Sequence, residues 1–167
     1  MNILAKAIAT MGGIGFSPKA PGTVASAIAI LPAWLLHWAG GFPLFALATV
    51  IAIGAGYWAT AQYTQTLPAD ADPSEVVIDE LAGQWIALWP LSWGMMYSAS
   101  AAHVFPYPGW IAGFVLFRLF DILKPGPVGW ADRRHGPFGI MADDVIAGIL
   151  AAILATMMAG LAHGWFG

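Results

Sequence analysis

The chain has 167 residues with a formal net charge of −3; 59% of the residues are hydrophobic, 9% are charged, and the mean hydropathy is +0.73. A water-soluble domain has roughly 25% charged residues, so these values exclude that class and indicate one integral membrane domain over residues 1–167. Six basic residues are too few for a nucleic-acid-binding surface, and the lack of cysteine excludes disulfides, thiolate metal sites and cysteine nucleophiles.

The N-terminal third of the chain predicts one short helix and two membrane spans. Apolar positions in residues 1–16 are spaced for a helix lying in the membrane interface, and a cleaved signal peptide is not expected. Pro18 and Pro21 keep the next segment extended, and Thr23 is a suitable N-cap for the helix that follows. The first two predicted spans cover residues 24–39 and 42–60, with a tight turn at Gly40-Gly41 between them.

Three further spans are predicted after a polar, acidic segment at residues 62–80. They cover residues 81–97, 109–123 and 145–162, with a loop at 98–108. The fourth span is shorter than a hydrocarbon core of ~30 Å, so its charged C-terminal residues are expected at the polar edge. The predicted fold is therefore an all-α, polytopic membrane protein with about five transmembrane helices.

Alternating loops place all six Lys and Arg residues on the side of the N-terminus. Because basic loops stay in the cytoplasm, we expect that side to be cytoplasmic. The same parity brings three segments to one face: residues 17–23, the loop before the third span, and the charged stretch 118–144. We therefore predict active-site loops that face the cytoplasm.

Paired carboxylates begin two of the predicted spans. Asp79-Glu80 precede the third span and Asp143-Asp144 the fifth, and small residues one turn later allow close contact between the two helices. The helix dipole explains one such pair, but it opposes Asp121 at a helix C-terminus. Carboxylate oxygens are hard ligands that suit Mg²⁺. We predict Asp79, Glu80, Asp143 and Asp144 as catalytic metal ligands, with Asp121 as a further catalytic carboxylate.

Basic residues lie close to these carboxylates in the sequence. Arg118 and Lys124 are spaced around Asp121 at i, i+3 and i+6, which is typical of a phosphate-binding stripe on a helix. Free backbone amides at the start of the first span add an anion site. The arginine pair at 133–134 has an alternative role as a topology signal. The predicted phosphate-binding residues are Lys19, Thr23, Arg118, Lys124, Arg133 and Arg134.

Two other functions are considered. Charges near helix ends also line ion paths, so a small transporter or channel subunit is an alternative, although it would place its charges nearer the middle of the membrane. A lipid phosphatase with a histidine nucleophile would need a Pro-Ser-Gly-His element, which is absent, and only His135 falls on the charged face.

Four motifs resemble, in order, those of the phosphatidylglycerophosphatase A family. They are Gly15-Phe-Ser-Pro with Pro-Gly-Thr23-x-x-Ser26, Val77-Ile-Asp79-Glu80-x-x-Gly83, Phe117-Arg118-x-x-Asp121-x-x-Lys124-Pro-x-Pro127, and Gly139-Ile-Met-x-Asp143-Asp144-x-x-Ala147-Gly148. The resemblance implies Mg²⁺-dependent removal of the terminal phosphate from phosphatidylglycerol phosphate, giving phosphatidylglycerol in glycerophospholipid biosynthesis. It also implies a multi-pass protein of the bacterial cytoplasmic (inner) membrane. Attack by water and a covalent aspartyl-phosphate both remain open.

Overall fold

The computed structural model describes residues 2–65, 67–68, 71, 73–97 and 106–162, and every regular element within these ranges is helical. The predicted all-α fold is confirmed. Most of the predicted loop at 98–108 lies outside the described residues. The helices are α1 (Ile3–Ala9), a 3-10 segment (Met11–Phe16), α2 (Pro21–Thr64), α3 (Ile78–Ala87), α4 (Trp89–Tyr97), α5 (Tyr107–Leu123), α6 (Pro127–Asp132) and α7 (Gly136–Ala162).

The long helix α2 folds back on itself at two glycines. Gly40 has φ −157° and ψ 18°, and Gly41 has φ 64° and ψ −161°, so neither is helical and Gly41 uses the positive φ that favours glycine. Both halves contact the start of α3, because a Cβ on Gly22 would overlap the Glu80 carboxylate and one on Gly56 would lie 3.1 Å from Ile78. A straight helix would separate positions 22 and 56 by about 51 Å. The predicted turn at Gly40-Gly41 is therefore confirmed.

The helices α3 and α7 cross in backbone contact at two glycines. A Cβ on Gly83 would lie 2.5 Å from the Asp144 carbonyl oxygen, and one on Gly148 would overlap the Gly83 backbone. Ala147 and Ala151 continue the contact and are fully buried. This close approach, predicted from the small residues, brings the acidic residues of both helices to the same end of the bundle.

Several predicted helix boundaries are wrong. α2 begins at Pro21, whose fixed φ suits the first helical position, so the N-cap is Ala20 and Thr23 lies in the first turn. The predicted third span is two helices that meet at Leu88, because Pro90 cannot donate a backbone hydrogen bond to the preceding turn. α7 begins at Gly136 rather than at 145, so its aspartates lie about two turns inside the helix.

Two helices, α2 and α7, are long and apolar enough to cross a membrane by length and composition. Their outer surfaces carry large apolar side chains that are more than half exposed, which suits contact with lipid rather than water. Examples are Leu47, Val50, Ile51, Ile153 and Met157. The architecture therefore suggests association with a membrane.

Candidate active site

A cleft of about 300 Å³ opens at one end of the bundle, where α2, α3 and α7 begin and α5 ends. All five predicted catalytic carboxylates line it, although they are far apart in the sequence. Together with one further aspartate, they give six carboxylates against three cationic side chains, a formal excess of three negative charges. The acidic residues are Asp79, Glu80, Asp121, Asp132, Asp143 and Asp144, and the cations are Arg118, Lys124 and Arg134.

Arg118 joins the carboxylates of two helices. Its Nη1 donates to Oε2 of Glu80 at 2.5 Å and to Oδ2 of Asp121 at 2.8 Å. The Ser26 hydroxyl lies 2.8 Å from the same Glu80 oxygen. The other carboxylate oxygen of Glu80 fits beside α2 because Gly22 has no Cβ. The Nε–H of Arg118 is buried and has no acceptor among the described residues. One cation thus holds two carboxylates together, and one of its donors has no acceptor among the described residues.

Lys124 connects the end of α5 to α6 and α7. It ends α5 in the left-handed conformation, with φ 45°, and its Nζ pairs with Asp132 and lies 3.1 Å from Oδ2 of Asp143. Burial disfavours the charged ammonium, but the hydrogen bonds to the two aspartates outweigh it and raise the pKa of Lys124 above its usual range. Lys124 is therefore a fixed cation that holds the α5–α6 connection against α7.

Three carboxylates meet closely enough to share one cation. One oxygen each from Glu80, Asp121 and Asp144 lies within 4.8 Å of the others, although the residues come from α3, α5 and α7. Three carboxylate oxygens gathered in this way could draw together around one Mg²⁺, which binds hard oxygen ligands and commonly keeps waters and substrate phosphate as its other ligands. Two of the four predicted ligands, Glu80 and Asp144, belong to this triad, and Asp121 joins it. Asp79 and Asp143 line the cleft outside it.

The predicted phosphate-binding residues divide into two groups. Thr23, Arg118, Lys124 and Arg134 line the cleft. Lys19 and Arg133 are exposed and do not line it. Lys19 precedes the first turn of α2, and the Nη1 of Arg133 lies 3.5 Å from the Cβ position of Gly129, back along α6.

Two residues that contact the predicted site residues were not assigned a role from the sequence. Ser26 contacts Glu80 although the two residues are 54 positions apart, and the motif that contains Ser26 was the only signal for it. Asp132 pairs with Lys124 across a short loop and helix. Its acidic character is visible in the sequence, but its partner depends on how α6 folds back.

An apolar helical bundle with an acidic cleft that could hold a divalent cation, and with arginine and lysine beside it, suits a membrane enzyme that acts on phosphate esters. The sequence profile of phosphatidylglycerophosphatase A matches residues 7–159. The chain belongs to the phosphatidylglycerophosphatase A family, and it is a lipid phosphatase rather than a transporter subunit. The resemblance predicted from the four motifs is thereby confirmed.

Curated relatives agree with this membership. Phosphatidylglycerophosphatase A of Escherichia coli K12 is 35% identical over 84% of this chain and 74% of that protein. The Haemophilus influenzae protein of the same name is 33% identical over 85% of this chain and 80% of its own length. A Bacteroides thetaiotaomicron protein, provisionally named phosphatidylinositol-3-phosphatase, is 38% identical over 88% of both chains. No solved structure matches this chain.

Proposed function

We propose that this protein hydrolyses the terminal phosphate monoester of phosphatidylglycerol phosphate with Mg²⁺, giving phosphatidylglycerol and inorganic phosphate. The observation that carries the proposal is the carboxylate triad of Glu80, Asp121 and Asp144 beside Arg118. An acidic cleft would repel a phosphate dianion, so substrate binding there requires a cation that the triad can hold. The names of the Escherichia coli and Haemophilus influenzae relatives support this choice of lipid.

Different side chains of the cleft would bind the metal, bind the phosphate and hold the helices in place during phosphoryl transfer. Glu80, Asp121 and Asp144 would hold Mg²⁺, which when bound polarises the phosphoryl oxygens and offsets their charge. Arg118 keeps two of these carboxylates in place and offers its free Nε–H to a phosphate oxygen. Lys124 holds the end of α5 against α6 and α7 through Asp132 and Asp143.

Asp79 is the residue that we assign to accept a proton from the attacking water. It is buried, lines the cleft, and lies outside the triad. Within the described residues it has no cationic partner, and its carboxylate accepts a hydrogen bond from the Glu80 backbone N–H at 2.9 Å. The water oxygen would bond to phosphorus as the bond to the glycerol oxygen breaks, and the leaving oxygen would take its proton from solvent.

The test of the function is phosphate release from phosphatidylglycerol phosphate by the purified protein in detergent. We expect release that stops on chelation by EDTA and returns when Mg²⁺ is added in excess, because the carboxylates of the cleft outnumber its cationic side chains and would repel the phosphate dianion without a bound metal ion. Phosphatidylinositol 3-phosphate is the comparison substrate, because a relative carries that name. Full activity in EDTA would contradict the metal, and a higher kcat/KM for the inositol lipid would contradict the substrate.

The proposed placement is the cytoplasmic face of a bacterial inner membrane, with about five spans. The two halves of α2, the α3–α4 pair, α5 and α7 supply these spans. The cationic side chains Arg118, Lys124 and Arg134 lie at the end of the bundle that contains the cleft. By the positive-inside rule, this end of the bundle faces the cytoplasm.

Cysteine labelling tests this topology directly, because the chain has no cysteine of its own. Pro125 and Tyr107 are both exposed and lie at opposite ends of α5. In intact cells that make the protein, an impermeant thiol reagent should label Tyr107→Cys and should label Pro125→Cys only after permeabilisation. The reverse pattern would overturn the proposed orientation, and labelling of both positions in intact cells would contradict the span formed by α5.

A further inference from the structure

Arg134 differs from the other two cations of the cleft in what it contacts. Arg118 and Lys124 are each paired with two carboxylates. Arg134 has no carboxylate partner in the part of the chain that the structure describes, and its guanidinium lies 4.7 Å from the centre of the Trp130 ring. Stacking on an aromatic face holds a guanidinium in place while leaving its donors free. Arg134 is thus a cleft cation that is available to an incoming anion.

The backbone of Arg134 is also fixed. Its N–H donates to the Ala131 carbonyl at 2.8 Å at the end of α6. Its carbonyl oxygen occupies the space where a side chain at Gly139 would begin, in the first turn of α7. The Arg134 side chain therefore starts from a rigid point at the rim of the cleft and remains exposed to solvent.

The proposed substrate carries two phosphates. The terminal monoester is the reacting group, and one glycerol unit away a phosphodiester joins the headgroup to the lipid. If the monoester lies at the triad and Arg118, the diester lies one glycerol unit away, and Arg134 is the cation of the same cleft that has no carboxylate partner among the described residues. A phosphodiester has one negative charge and two free oxygens, which a planar guanidinium can bind with two parallel hydrogen bonds.

We propose that Arg134, stacked on Trp130, binds the phosphodiester of the lipid headgroup, while the triad and Arg118 bind the monoester. This assignment rests on the proposed function and extends it. In this assignment Arg134 is a specificity residue. It favours lipid headgroups in which a polyol carries the phosphomonoester and a phosphodiester joins that polyol to the lipid. Trp130 is a positioning residue, since it acts through Arg134.

Two soluble probes separate the two subsites without a membrane surface. Glycerophosphoglycerol has the diester alone, and inorganic phosphate resembles the monoester alone. Both would be measured as inhibitors of phosphate release from phosphatidylglycerol phosphate. In Arg134→Gln we expect the inhibition constant of glycerophosphoglycerol to rise about tenfold, and that of phosphate to change by less than about twofold. In Trp130→Leu the inhibition constant of glycerophosphoglycerol should rise less, because the charge of Arg134 remains but the aromatic ring that holds its guanidinium is lost.

Lys6→Gln is the matched control. Lys6 is also an exposed cation over an exposed aromatic ring, 5.2 Å from the centre of Phe16, but it does not line the cleft. An equal rise in Lys6→Gln would mean a general surface-charge effect and would overturn the subsite. The subsite would also be overturned if the inhibition constant of phosphate rose in parallel in Arg134→Gln, or if that of glycerophosphoglycerol did not change in this variant. Wild-type protein that released no phosphate from phosphatidylglycerol phosphate would instead contradict the proposed function.

Discussion

Asp144→Asn should lower kcat/KM for phosphatidylglycerol phosphate by about 10²-fold or more, which corresponds to roughly 2.7 kcal/mol of transition-state stabilisation. Asparagine keeps the shape of the side chain but removes one charge from the triad of Glu80, Asp121 and Asp144. In the proposed site that charge helps to hold Mg²⁺, so the Mg²⁺ concentration for half-maximal activity should also rise. Asp121→Asn and Glu80→Gln should behave alike, although the triad residues come from three helices.

The control for these variants is Glu75→Gln. Glu75 accepts a hydrogen bond from the Tyr63 hydroxyl at 2.9 Å and does not line the cleft, and a glutamine oxygen can still accept that bond. Glu75→Gln therefore removes one negative charge without changing the triad. The activity of this variant should stay within about twofold of wild type. If Asp144→Asn kept wild-type turnover and an unchanged Mg²⁺ requirement, the triad would be a structural cluster and the proposed mechanism would be wrong.

The parts of the fold that local sequence determines were predictable. Gly40-Gly41 was recognised as a turn because two adjacent glycines interrupt a long apolar segment. The contact between α3 and α7 followed from Gly83 and Gly148, which lie one turn beyond acidic pairs. The predicted start of the fourth span was two residues from that of α5, since Pro106 and Pro108 mark the boundary. The turn and the helix start are marked by residues with unusual or restricted backbone freedom, and the helix contact is marked by residues without a side chain.

The arrangement of the carboxylates was less predictable, because it depends on contacts between helices. Asp143 and Asp144 were expected at a helix N-terminus, where the dipole would explain them. α7 begins at Gly136, which has φ 77°, so both aspartates lie inside the helix. The choice of Asp121 over Asp79 and Asp143 for the triad depends on how α5 packs against α3 and α7. No local pattern contains that information.

The same limit applies to the cations, where charge alone could not separate cleft residues from surface residues. Arg133 and Arg134 are neighbours with the same side chain, yet only Arg134 lines the cleft. Their difference arises where α6 ends, since Arg134 packs its backbone against Gly139. Arg118 was predicted to bind phosphate, but Glu80 and Asp121 already occupy its Nη1. Its position between two carboxylates gives it a second role, as the residue that holds the triad together.

Arg118→Lys tests this second role, because it keeps the positive charge. The Nη1 of Arg118 contacts Glu80 and Asp121 together, and its Nε–H has no acceptor among the described residues. A lysine ammonium is a point charge without a planar set of donors, so it cannot reproduce both contacts and still offer a directed donor to phosphate. We expect kcat/KM to fall by about 10²-fold in Arg118→Lys, with the protein still folded.

Arg118→Gln should lose more activity and also thermal stability. Its side chain is only 15% exposed, and removing a largely buried charge from its partners costs about 3–5 kcal/mol in comparable sites. The pair of variants separates charge from geometry when activity and melting temperature in detergent are measured together. Wild-type turnover in Arg118→Lys would mean that a positive charge at this position is sufficient, and that the triad does not depend on the guanidinium for its arrangement.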